Sequence, residues 1–152
     1  MSAPAPAERV EALRRAPVFE RLSPGELEAL AGLCRPVTCR AGEVVFAEGE
    51  VGDSLYLIAR GEVEVSRHER AGVPLAVLGP GACFGEMALI DREQRSATVR
   101  ARGELELLQL TAEGFATFRG YSRDGFTLVV LNVARILSSR LRDTSAQLAA
   151  RL

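Results

Sequence analysis

Glu86 and Arg95 carry opposite charges across one short Gly-bearing stretch. It runs Phe84-Gly85-Glu86-Met87-Ala88-Leu89-Ile90, then Asp91-Arg92-Glu93-Gln94, then Arg95-Ser96-Ala97-Thr98-Val99. A guanidinium grips a phosphate through paired N–H donors, and the Ser96 hydroxyl can add a contact. A carboxylate repels phosphate but accepts a hydrogen bond from a sugar hydroxyl. Gly85 lets the backbone come close to a ligand. The apolar turn after it opens with N–H groups that have no partner inside the turn, an anion site by construction. The pattern therefore suits a sugar phosphate better than a bare anion. The same two charges also suit a plain ion pair that fixes the loop, and residue types leave both readings open.

Other chemistry finds little material. His68 is the one histidine of the chain and lies in Arg67-His68-Glu69-Arg70, which reads as a solvated turn. One histidine supplies neither the metal cluster of a cupin-type enzyme nor a catalytic triad. No enzyme, metal or cofactor is expected. Cys34, Cys39 and Cys83 make an odd set without metal-ligand spacing, so reduced thiols in a cytosolic protein are expected. A net charge of −1 gives no global pull toward nucleic acid or anionic membrane. No apolar run reaches the ~18 residues of a membrane span, and the first residues lack the pattern of a secretory signal. At 152 residues, 47% apolar and 26% charged, the chain suits one soluble domain with a real core.

The elements that must position the charged pair can be read from periodicity. Residues 1–6, rich in Ala and Pro, are expected to be disordered. Helical patterning follows to Leu33, with Val10 and Leu13 on one face. Ser23-Pro24-Gly25-Glu26 reads as a capping box ahead of a helix whose stripe is Leu27, Leu30 and Leu33. From about 35 to 110 the period shortens. Val44-Val45-Phe46, Leu55-Tyr56-Leu57-Ile58, Val63 and Val65 between glutamates, Leu75-Ala76-Val77-Leu78, Ala97 with Val99, and Leu105-Leu107-Leu110 all read as short strands. Gly42, Gly49, Gly52, Gly61, Gly72, Gly79 and Gly81 fall where strands must reverse and read as turn residues. Thr111 caps a helix bearing Glu113, Phe115 and Phe118. Ser122 or Asp124 then opens a long helix. Within it Val130, Ala134, Leu137, Leu141, Thr144 and Leu148 alternate four- and three-residue steps, the seam of a coiled coil. Its first half is expected to pack on its own domain and its second half on a second copy. The predicted fold is mainly β, an antiparallel, jelly-roll-like β-roll with N-terminal helices and a long C-terminal helix. Residues 7–121 form the roll with its flanking helices, and 122–152 the long helix of the same domain.

The stretch from Phe84 to Thr98 resembles the phosphate-binding cassette of the cyclic-nucleotide-binding family. That family includes the bacterial catabolite activator protein, the regulatory subunits of protein kinase A, and cyclic-nucleotide-gated channels. The likeness extends to Ala41-Gly42-Glu43, to Gly49 through Ile58, to Gly61 through Val65, and to Leu78-Gly79-Pro80-Gly81, covering roughly residues 17–148. The resemblance implies that Glu86 binds the ribose 2′-OH and Arg95 the cyclic phosphate. Phe84 opens the cassette; Gly85, Met87, Ala88, Ser96 and Ala97 complete the cradle. Ser96 is compatible with cAMP or cGMP, and the Arg-Ser-Ala order shared with the activator favours cAMP. Thr144 and Ser145 stand in the order of a Thr-Ser pair that reaches the base from the long helix of a dimer. The implied protein is a non-catalytic sensor with a cyclic nucleotide as ligand, a second copy as partner, and an unidentified protein downstream. No direct nucleic-acid or membrane contact is expected. The alternatives are the ligand-binding piece of a DNA-binding regulator, and a degenerate domain serving only dimerisation.

Overall fold

A computed structural model describes residues 4–70, 73–92 and 94–150, with the side chains of residues 70, 144 and 146–150 outside the description. Among the described residues there are eight strands: β1 (Arg35–Cys39), β2 (Val44–Phe46), β3 (Ser54–Arg60), β4 (Val63–Ser66), β5 (Ala76–Leu78), β6 (Cys83–Phe84), β7 (Thr98–Ala101) and β8 (Leu105–Thr111). They form two four-stranded antiparallel sheets, ordered β1-β8-β3-β6 and β2-β7-β4-β5. The pairing is nested: first with last, second with seventh, third with sixth, fourth with fifth. One long hairpin has thus been rolled up, as the strand spacing predicts. Because the chain changes sheet together on both arms, the connection between β2 and β3 runs beside the connection between β6 and β7. The bridge from Val51 to Gln94 joins them.

Strand sequences report which layer each strand occupies. In β3 the apolar residues run on without alternation, and in β8 leucines fall on both faces around Glu106 and Gln109, because both faces are covered. Leu55, Leu57, Leu108 and Leu110 face a cluster shared with the helices, while Ile58, Leu105 and Leu107 face the cluster between the sheets. In β4, Val63 is fully buried and Val65 packs inward, whereas Glu64 takes the other face. Two strands escape the periodicity reading. β1, Arg-Pro-Val-Thr-Cys, is an edge strand with only Val37 and Cys39 turned to the core, and an edge tolerates Pro36. β6 is two residues long, too short to show a period.

The helices close the outer face of the first sheet. Helix α1 (Pro6–Arg15) begins at the last residue of the segment read as disordered. In α2 (Pro24–Leu33) the Glu26 N–H donates to Ser23 Oγ at 3.2 Å, and the Ser23 N–H donates to Glu26 Oε1 at 2.9 Å. This is the expected capping box. In α3 (Ala112–Tyr121) the Thr111 hydroxyl accepts from the Gly114 N–H at 2.9 Å. Helix α4 (Arg123–Ala150) starts after Ser122, whose hydroxyl accepts from the Gly125 N–H at 2.9 Å and donates to Glu26 Oε2 at 2.6 Å. The buried Asn132 donates to the carbonyls of Val18 and Glu20 at 3.2 and 3.0 Å, pinning α4 to the 3₁₀ turn Pro17–Phe19. The line of α4 that enters the core differs from the predicted seam. Val129 and Val133 are fully buried, Val130 and Leu137 flank them half-buried, and Ala134 is exposed. The seam is offset because the helix seats its core face one position earlier.

Candidate functional site

The segment between β6 and β7 forms one wall of a cavity of about 320 Å³. β6 is held on β3 by the pairs Tyr56–Phe84 and Leu57–Cys83. Gly85 then takes φ +78°, a left-handed conformation that favours glycine, and turns the chain into the 3₁₀ turn Glu86–Leu89. The Ala88 N–H closes that turn on the Gly85 carbonyl at 3.1 Å. Glu86, Ala88 and Leu89 are buried. The return arm is tied down where the Arg95 N–H donates to the Glu50 carbonyl at 2.6 Å and the Gly49 N–H donates to the Arg95 carbonyl at 2.8 Å.

Phe84, Gly85, Glu86, Met87, Ala88, Arg95, Ser96 and Ala97 all line this cavity. Eight of the ten residues singled out from sequence therefore converge. Of the other two, Ser145 is exposed on α4, and the side chain of Thr144 lies outside the described residues.

Glu86 and Arg95 do not form the ion pair that residue types left open. Arg95 Nη2 donates to the Ser54 carbonyl at 2.8 Å and Nη1 to the Gly85 carbonyl at 3.5 Å, while its Cζ lies 4.0 Å above the Phe46 ring. Burial draws Arg95 below its usual value, opposed by Tyr56, Asp53 and Glu50 nearby. A guanidinium stays charged under such a shift. Glu86 is 3% exposed and pairs with Arg140 of α4 instead, Oε1 to Nη1 2.6 Å. The contact is one of charge, without the alignment of a hydrogen bond. Sequence reading missed Arg140 as a site residue. The available signal was helical spacing, since Arg140 stands one turn ahead of Thr144 on the same face. It also missed the apolar wall formed by Phe46, Val65, Ala76, Leu78 and Val99.

Cys83 also lines the cavity. Burial, with the Glu86 carboxylate adding to it, pushes the Cys83 thiol well above its usual range and keeps it neutral. His68 sits 75% exposed in a turn, its Nδ1 3.7 Å from Glu48. Among the described residues no group of three or more His, Cys, Asp or Glu stands together as a metal site, and no described helix is long and apolar enough to cross a membrane. The arrangement offers a cation, a buried carboxylate and a glycine-turned backbone around an apolar hollow.

The family model of the cyclic nucleotide-binding domain matches residues 36–120, more than half of the chain and the whole of the cavity wall except Arg140. The chain belongs to that family. The cyclic AMP receptor protein of Thermus thermophilus is 35% identical over 90% of this chain and 62% of its own length. The CRP-like cAMP-activated global transcriptional regulator of Mycobacterium tuberculosis is 30% identical over 91% of this chain and 61% of its own. The chain thus spans about three-fifths of the length of these curated relatives. The N-terminal domain of a transcriptional regulator from Streptomyces coelicolor superposes with a TM-score of 0.77 at 32% identity, covering 90% of this chain and 94% of that one. The family's β-roll and long C-terminal helix are the architecture described above.

Proposed function

We propose that the chain is a non-catalytic sensor module that binds a 3′,5′-cyclic nucleotide, cAMP in preference to cGMP, in the cavity between the Gly85 turn and α4. The observation that carries this reading is the convergence of Glu86 and Arg95 on one cavity, closed from the helix side by Arg140. At about 320 Å³ the hollow is within the range of small-ligand pockets. Arg95 neutralises the phosphate, with the amides after Gly85 and the Ser96 hydroxyl completing the cradle. Glu86 accepts from the ribose 2′-OH. The apolar wall of Val65, Ala76 and Leu78 shelters the purine, and Thr144 and Ser145 read its edge from α4. The preference for cAMP rests on the Arg-Ser-Ala order and on the names of the relatives.

Signalling follows from where Arg140 sits. A ribose hydroxyl arriving at Glu86 meets the same carboxylate that holds α4, so ligand and helix position are coupled at one group. The signal is as large as the difference in ligand affinity between helix arrangements. The output passes through α4, either to a second copy or to a downstream protein, in a cytosolic setting.

A thermal-shift panel with cAMP, cGMP and linear AMP tests the reading. A cyclic nucleotide at 100 times its dissociation constant adds ~2.7 kcal/mol of stability. Arg95→Ala should lose at least the ~1.5–3 kcal/mol of a charged hydrogen bond, more than tenfold in affinity. Melting curves that ignore all three nucleotides would remove the proposal. A second reading has its own support: the match to an N-terminal domain, and relatives longer than this chain, favour the ligand-binding part of a DNA-binding regulator. A reading frame continuing into a DNA-binding module would establish it. A purely structural dimerisation domain is disfavoured, because Glu86 and Arg95 both line the cavity.

A further inference from the structure

Arg95 is gripped twice by the same neighbouring strand of chain. Its backbone bonds to Glu50 and Gly49, and its guanidinium folds back along residues 52–54 to reach the Ser54 carbonyl. The space for that fold is made by Gly52. Gly52 is buried and is not among the glycines of positive φ, so its backbone suits any residue. What it lacks matters instead. A Cβ at Gly52 would overlap Nε and Cζ of Arg95 and lie 2.8 Å from its Cδ, and all three atoms belong to Arg95. Across the slot, a Cβ at Gly85 would lie 2.6 Å from Arg95 Nη1 and 2.9 Å from the Ser54 carbonyl oxygen. Phe46 forms the floor, with the Arg95 Cζ 4.0 Å from its ring centroid. The guanidinium therefore occupies a slot with two glycine walls, an aromatic floor and a carbonyl at its end.

We propose that Gly52 is a positioning residue for anion binding: by having no side chain it admits the Arg95 head to this slot and aims it into the cavity. The proposal rests on the cyclic-nucleotide reading above for the identity of the anion, but the slot itself does not. Two of the five guanidinium N–H donors go to main-chain carbonyls. The stacked face and the two carbonyls fix the plane, so the other donors are oriented before any ligand arrives. Such pre-organisation raises affinity by removing the cost of ordering a long side chain on binding. Gly52 touches no ligand in this scheme; it acts through Arg95.

The test is a cycle of four proteins: wild type, Gly52→Ala, Arg95→Ala and the double variant. The first readout needs no nucleotide. The Arg95 Nε–H resonance, assigned by its loss in Arg95→Ala, should sit apart from those of exposed arginines in the wild type and join them in Gly52→Ala. The second readout is affinity for fluorescent cAMP. Gly52→Ala should weaken it about tenfold or more, while adding Gly52→Ala to Arg95→Ala should change it less than twofold. The third is thermal stability, where the double variant should melt with Arg95→Ala, since removing the guanidinium makes room for the methyl. An unmoved Nε–H signal with unchanged affinity overturns the proposal, as does an equal loss of stability in both backgrounds. If Gly52→Ala fails to fold, a folded double variant supports the slot and an unfolded one overturns it. If the wild type binds no cyclic nucleotide, the functional reading falls, and the Nε–H signal still decides on the slot.

Discussion

Glu86 is a carboxyl side chain buried beside a cation. It is 3% exposed, and its Oε1 has Arg140 at 2.6 Å as counter-charge. Removing that cation leaves a buried carboxylate uncompensated. Arg140→Ala should therefore destabilise the unliganded protein by about 1–2 kcal/mol. That is below the value for a fully enclosed pair, because the Arg140 side chain is 60% exposed. Urea unfolding measures this, and adding Glu86→Gln should recover most of the loss. No recovery would mean that Arg140 stabilises the protein through contacts other than Glu86. Glu86 and Arg95 were legible in the sequence because their chemistry is local to one Gly-bearing loop. Arg140 was not, because its partner lies in another element and only the docking of α4 brings the two together. The role of Gly52 was hidden for a related reason. Its type reads as turn punctuation, and the side chain it makes room for is contributed from the other arm of the roll.

At the scale of elements, Glu26 joins two helices that are distant in the chain. It completes the capping box of α2 and accepts from the Ser122 hydroxyl at the start of α4. The Ser122 hydroxyl, then the Ser23 N–H, holds its carboxyl below the usual value. A carboxyl depressed in the folded state stabilises the fold above its unfolded value, near ~4.3, and loses that contribution as pH falls through the folded value. The difference in melting temperature between wild type and Glu26→Gln should thus be full at neutral pH and shrink on acidification below the ordinary glutamate range. A gap that stays constant with pH would show that the ionised form is not what ties the helices. The capping box itself was legible, since its signals lie within four residues. The link to Ser122 was not. Strand β1 was equally hidden: a Pro-bearing edge strand has little apolar periodicity, and only its pairing with β8 makes it a strand.

For the whole molecule, the nested pairing of strands has one consequence for function. It lays the connection between β2 and β3 along the connection between β6 and β7, so the Gly49–Ser54 stretch becomes the frame that holds Arg95. On α4, Leu141 is 68% exposed, while Val129 and Val133 are buried in the core. If α4 pairs with a second copy as proposed, Leu141→Glu should shift the protein to monomers in sedimentation without altering its melting transition at low concentration. An unchanged sedimentation coefficient would place any pairing elsewhere. The amino-acid sequence by itself determined the fold class, the cavity-forming loop and its charged pair, because periodicity, capping and loop chemistry are written in near neighbours. The tertiary structure decided which charges meet. Whether Glu86 faces Arg95 or Arg140, and which glycine admits a side chain, depends on how the rolled hairpin and the last helix dock, and contacts at that range leave no local pattern to read.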